Sequence, residues 1–326
     1  MEILYRNSTV SAGEILQGEV VLNAHKLSNI SRISIWISGT SGILLYKYQG
    51  AHSSGKFENK ETYLDSRIVL WQIETTNRSF EKPHQNRFPF AFEIPSNAPS
   101  SFKYRRPGFC DISVSYFCQC TVEMLRKQSA SAPAETVPFY VLGKLDLNDH
   151  PDARLPVNKA RIGADDLYFK ISLPRKGYLP GEEVELKAVI KNKGQRKVKS
   201  LNVSLEQELL LCAQTHKERN SFGTCKQREQ CKYFEINDIK VKKYNSLGLE
   251  SSAQPVRQEF CFDIQLPDAV PTFINSALFQ LNYKLRFKLN VAAGWSKPNQ
   301  DLEGTIPLIL GTIPFENLLR QEKFPK

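Results

Sequence analysis

Residues 88–102 read FPFAFEIPSNAPSSF, and residues 260–273 read FCFDIQLPDAVPTF. In both, apolar residues fall on every second position, run into a proline (Pro95, Pro267), and pass through a Pro-Ser or Pro-Thr loop to a phenylalanine (Phe102, Phe273). Alternation at period two puts one set of side chains on one face of an extended chain, so each stretch predicts a half-buried strand followed by a turn.

Other landmarks recur with them. Ser11-Ala12-Gly13-Glu14 returns as Leu179-Pro180-Gly181-Glu182, and Val137-Pro138-Phe139 running to Gly143 returns as Ile306-Pro307-Leu308 running to Gly311. Four landmarks in one order, at offsets of 168 to 172 residues, describe a tandem duplication. The same alternation appears in Ile33, Ile35 and Ile37, in Ile112, Val114 and Tyr116, in Val184, Leu186, Ala188 and Ile190, and in Leu201, Val203 and Leu205. No helical stripe of similar length is present; a turn or two of helix is expected only in 99–106 or 314–322. The chain therefore reads as all-β, two tandem β-sandwiches. The expected boundaries are 1–148 for the first, 149–164 for a polar linker, 165–316 for the second and 317–326 for a short tail.

The chain has 326 residues, 24% of them charged and 41% hydrophobic, which excludes wholesale disorder and a membrane-spanning bundle. Its net charge of +10 is uneven: residues 1–150 carry +2 and residues 151–326 carry +8. An anionic partner should meet the second half more strongly. Residues 1–6 (MEILYR) lack the basic leader and apolar run of an export signal, so a cytoplasmic location with reduced thiols is expected for the seven cysteines.

Lys284, Arg286 and Lys288 alternate with Leu285, Phe287 and Leu289, so one face of that strand offers three cations spaced about 7 Å apart. Lys187 and Lys191 share the polar face of another strand, and Lys197 and Lys199 lie in or near the hairpin that follows. These seven residues are the candidate partner-binding face, able to meet anionic lipid or an acidic tail. Solvation and the guarding of an exposed edge are the plainer reading of the same lysines. Nucleic acid is not expected, because no stacking aromatics interleave with the charges. Cys212, His216, Cys225 and Cys231 have spacings that match no zinc module, so no metal and no cofactor are expected. Cys225 and Cys231, in a strongly polar stretch, are candidate reactive thiols. Cys118 and Cys120 share one strand face and read as small buried hydrophobes. Phosphate-loop, HExxH, Gly-x-Ser-x-Gly and dinucleotide signatures do not occur, so catalysis is not expected.

Three stretches resemble the arrestin family, its α-arrestin (arrestin domain-containing) branch in particular: RFPFAFEIPSNAPSSF, KISLPRKGYLPGEEVELKAVIKNKGQRKVKSLNVSLEQE, and GTIPLILGTIPFENL. The resemblance implies a non-enzymatic adaptor that holds membrane receptors or transporters by their cytoplasmic tails. It implies recruitment to the plasma membrane or endosomes, and coupling of cargo to ubiquitination and endocytosis. Many members engage HECT-type ubiquitin ligases through Pro-Pro-x-Tyr motifs; this sequence has no Pro-Pro pair, so ligase coupling is expected to be indirect. A retromer-type cargo-sorting subunit and a thiol-reactive redox protein are the alternatives.

Overall fold

The computed structural model describes residues 1–22, 30–48, 54–73, 86–108, 110–124, 135–164, 166–193, 198–211, 232–236, 257–276, 278–292 and 301–316. They divide into two compact units, one spanning Met1–Lys144 and one beginning at Leu145.

Domain 1 pairs β1 (Glu2–Tyr5), β3 (Ile15–Val21) and β6 (Arg87–Glu93) in the order β1-β3-β6. Its second sheet runs β2 (Thr9–Ser11), β9 (Glu135–Leu142), β8 (Cys110–Met124), β4 (Ile30–Tyr48), β5 (Ser54–Gln72), and β7 (Phe102–Arg106) pairs with the free end of β8. Domain 2 repeats both sheets. Its first is β10 (Val157–Ile162), β11 (Leu167–Leu173), β13 (Glu183–Asn192), β16 (Arg257–Gln265); its second is β12 (Gly177–Tyr178), β18 (Leu302–Leu310), β17 (Phe279–Val291), β14 (Val198–Leu211), β15 (Lys232–Ile236). A parallel strand pairing recurs as well, β2 on β9 and β12 on β18. The duplication read from the landmarks is thus a duplication of strand order, with β10 added to the second copy.

Alternation fills the cores. Phe88, Phe90, Phe92 and Ile94 are buried, as are Ile33, Ile35 and Ile37 opposite Val122, Cys120 and Cys118. Rings meet across the layers, Tyr5 with Phe139 at 5.9 Å in domain 1 and Phe169 with Phe287 at 5.5 Å in domain 2. Each fully buried side chain of this size contributes about 1.5–3 kcal/mol.

The Gly-Glu landmarks are turns built twice. Gly13 and Gly181 sit at φ of +78° and +77°, a conformation that a side chain disfavours. The following glutamate folds back, and Ser11 N and Leu179 N donate to the carboxylates of Glu14 and Glu182 at 3.2 and 2.8 Å. The Pro-Ser and Pro-Thr loops also close alike. The N–H of Ser101 and of Thr272 donates to the carbonyl of Val141 and of Leu310. The hydroxyl of each accepts from the N–H of that same partner. Tyr116 and Tyr283 donate to the carbonyls of Pro99 and Val270, each at 2.7 Å.

Two expectations change. Residues 102–106, offered above as a helical candidate, form strand β7, because Phe102–Arg106 find ladder partners in Cys110–Val114. Residues 157–162, read as linker, form edge strand β10 on β11; its side chains show no alternation because most are exposed.

Candidate partner-binding face

The ladder Lys284, Arg286 and Lys288 does lie along one face of β17, flanked by β14 and β18. It is interleaved with carboxylates. Lys284 Nζ lies 3.6 Å from Glu206 and 3.4 Å from Glu208. Arg286 reaches Glu206 at 3.1 Å and Glu303 at 3.0 Å, and Lys288 reaches Asp301 at 3.0 Å and Glu303 at 2.9 Å. Three cations thus meet four anions, where the sequence of β17 alone suggested an unopposed basic row.

Glu206 anchors the network. It is 2% exposed, and a carboxylate taken out of water persists only when cations and hydrogen bonds replace its hydration. Hydrogen bonds to Glu303 and Glu206 raise the Arg286 pKa, and those to Glu303 and Asp301 raise that of Lys288. In return, hydrogen bonds from Lys288 and Arg286 hold the Glu303 carboxyl below its ordinary value. Burial pushes Asp301 up, but Lys288 and the backbone N–H of Val291 outweigh it and hold this carboxyl low too. Sequence reading missed these partners, although Glu206 with Glu208 and Asp301 with Glu303 carry the period-two signal of a shared face.

The other named residues lie elsewhere. Lys187 and Lys191 project from β13, on the outer face of the other sheet. Lys187 pairs with Glu185 at 3.1 Å, and the Lys191 ammonium lies 5.4 Å from the centre of the Tyr168 ring. Lys199, exposed on β14, helps lower the Asp301 carboxyl. Lys197, Cys225 and Cys231 lie outside the described residues, as do Cys212 and His216 of the metal-like grouping. Among the described residues, no group of three or more His, Cys, Asp or Glu side chains is placed to hold a metal. Cys118 and Cys120 are fully buried; burial pushes their thiols up to about 11 and about 12, so both stay protonated and unreactive near neutrality.

The closing motif GTIPF has a structural task. Leu147 N donates to Ile313 O, Thr312 N to Leu145 O, and Asn148 Nδ2 to Pro314 O. Leu147 and Ala153 pack on Phe315, whose ring takes the guanidinium of Arg154 at 5.0 Å. A Cβ on Gly311 would stand 2.6 Å from Leu147, and one on Gly177 2.7 Å from Ala153, so both positions need glycine for the segment to seat. Residues 145–154 are thereby part of domain 2's packing.

Known proteins match this architecture. The family model for the arrestin (or S-antigen) N-terminal domain matches residues 2–148, and that for its C-terminal domain matches residues 164–315. The chain is 20% identical to arrestin domain-containing protein 4 of Mus musculus over 325 residues, 95% of this chain and 70% of that protein. It is 23% identical to arrestin domain-containing protein 1 of Rattus norvegicus over 207 residues, 61% of this chain and 44% of that protein. With both domain types in order across a duplicated strand topology, the chain belongs to the arrestin family.

Proposed function

We propose that the chain is a non-enzymatic adaptor that holds cytoplasmic segments of membrane receptors or transporters and couples them to ubiquitination, endocytosis and transport. The observation that supports this most is the presence of both arrestin domains in one chain, in a family of adaptors. In this reading the protein works in the cytoplasm and is recruited to the plasma membrane or endosomes. Any HECT-type ligase joins through a further protein. Among the described residues no helix is long and apolar enough to cross a membrane, which fits recruitment through a partner.

The ion-pair geometry refines which cations serve. Lys284, Arg286 and Lys288 are already compensated, so an incoming carboxylate or phosphate would have to displace Glu206, Glu208, Glu303 or Asp301. Lys191, Lys199 and Lys187, the last in an exposed pair with Glu185, stand at the surface, and they lead in this reading, with Lys197 beside them in sequence.

Affinity capture from a membrane-containing lysate, at low and physiological salt, tests the proposal. Integral-membrane receptors or transporters recovered together with ubiquitin ligases are expected, with recovery reduced by Lys187→Glu, Lys191→Glu and Lys199→Glu combined. A stoichiometric sorting coat in their place would overturn it.

A further inference from the structure

We propose that the open edge of β10 accepts an extended acidic peptide as an added strand, an inference that rests on the adaptor reading and names the chemistry of what is held. β10 ends its sheet and, among the described residues, ladders with β11 alone, while Arg161 near its end reaches β18. Antiparallel partners alternate between residues that exchange both hydrogen bonds and residues that exchange none. Gly163 N donates to Leu167 O at 2.8 Å, and the register continues through Arg161 with Phe169, Lys159 with Ile171 and Val157 with Leu173. The odd-numbered residues therefore bond to β11, and Asn158, Ala160 and Ile162 turn their N–H and C=O groups to the open side. All three are exposed, and Ile162 reaches 80%.

Charge chooses the occupant. β10 contains Lys159 and Arg161 and no acidic residue. Arg161 donates through Nε to the Glu303 carbonyl at 2.7 Å, which fixes its charge beside the edge. On the other face Ala160 stands opposite Lys170, and Ile162 opposite Tyr168, which carries Lys191 over its ring. An added strand fits best with carboxylates beside Lys159 and Arg161 and apolar side chains beside Ala160 and Ile162. A second copy of the chain fits badly: paired antiparallel about Ala160, Lys159 of one copy would face Arg161 of the other, and like charges directly opposite destabilise a sheet. Other edges offer less. β6 contains Pro89, which lacks a donor, and β16 carries Glu259 and Asp263, which repel an acidic strand. The competing role for Lys159 is simply to guard the edge against any pairing.

The test uses the full chain and the labelled peptide Glu-Val-Glu-Val-Glu-Val-Glu, with its Lys-for-Glu counterpart as control. Fluorescence anisotropy is expected to show binding of the acidic peptide, weakened about tenfold or more in the control, in Ala160→Pro and in Ile162→Asp. Amide hydrogen exchange should gain protection at Asn158, Ala160 and Ile162. Ala160→Pro removes an N–H that β11 does not use; should that variant fail to fold, Ile162→Asp and the amide protection decide. Absence of binding up to about 1 mM, equal binding to the variants, or protection confined to other strands would overturn the proposal. None of these results alters the membrane-protein capture described above, so failure of this edge and failure of the adaptor reading are read separately.

Discussion

The two domains share a topology and differ in what they lay on its outer sheet face. In domain 1, Phe117 on β8 stands opposite Ser38 on β4 and Pro138 on β9. In domain 2 the equivalent row is Lys284 on β17, opposite Glu206 on β14 and Pro307 on β18. The first row is built by apolar contact: Trp36 meets the Phe117 ring edge-on at 5.2 Å, and its indole N–H donates to Asp65 at 2.5 Å. The second is built by ion pairs. A β-sandwich needs only its inner faces to be apolar, so duplication left the outer faces free to diverge. One row rests on ring contact and a hydrogen bond to Asp65, the other on ion pairs, which salt screens.

The comparison breaks most visibly at Glu206. Glu206→Ala leaves Lys284 with Glu208 and Arg286 with Glu303 but removes the buried anion between them, and should cost domain 2 about 2–3 kcal/mol, the worth of hydrogen bonds to a charged group. Chemical unfolding followed domain by domain measures this, with domain 1 unchanged. The buried tyrosines come next. Gly39 makes room for Tyr116, and a Cβ there would lie 2.4 Å from the ring, so Gly39→Ala should cost domain 1 about 2 kcal/mol through overpacking. In domain 2 the residue opposite Tyr283 is Gln207, which donates to its hydroxyl at 2.8 Å. Gln207→Ala should cost about 1 kcal/mol, the worth of one hydrogen bond. Phe117→Ala should cost domain 1 about 1–2 kcal/mol, mostly lost ring contact, and that loss should not change with salt.

Titration separates the domains at both ends of the scale. The carboxyls of Glu303 and Asp301 are held below their unfolded values, so their stabilisation is present above the unfolded pKa and disappears as pH falls through the folded one. Domain 2 should therefore weaken below about pH 4. The thiols of Cys118 and Cys120 are raised, so their contribution is complete below the ordinary thiol pKa and disappears as pH rises towards about 11 and about 12. Domain 1 should lose stability from about pH 9 upward, by at most about 1.4 kcal/mol per pH unit for each thiol. Tyr178 and Tyr283, raised by burial to about 12, add the same kind of loss to domain 2, starting nearer pH 10. Far-ultraviolet and tyrosine-absorbance titrations of the two domains check the order.

The duplication itself was legible because its landmarks mark backbone necessities. Gly13 and Gly181 need positive φ, and Phe88, Phe90 and Phe92 need one buried face. Period-two alternation likewise showed that Lys284, Arg286 and Lys288 share a face. It did not show what stands opposite them, because strand register is a tertiary fact: Glu206 lies 78 residues before Lys284, and no local rule pairs the two. β10 escaped notice for the complementary reason. An edge strand with exposure on both faces has no apolar period to read. The Glu of each Gly-Glu turn was visible, but its carboxylate as acceptor for a backbone N–H three residues earlier was not.

The central claim is that the row around Phe117 in domain 1 is held by ring contact, while the equivalent row around Lys284 in domain 2 is held by ion pairs. Amide hydrogen exchange at low salt and at about 1 M salt tests it most directly, since ion pairs near a surface are screened and apolar contacts are not. The account predicts faster exchange at high salt along β14, β17 and β18, with β4, β8 and β9 unchanged or slower. Equal responses in both sets of strands, or loosening confined to domain 1, would contradict it.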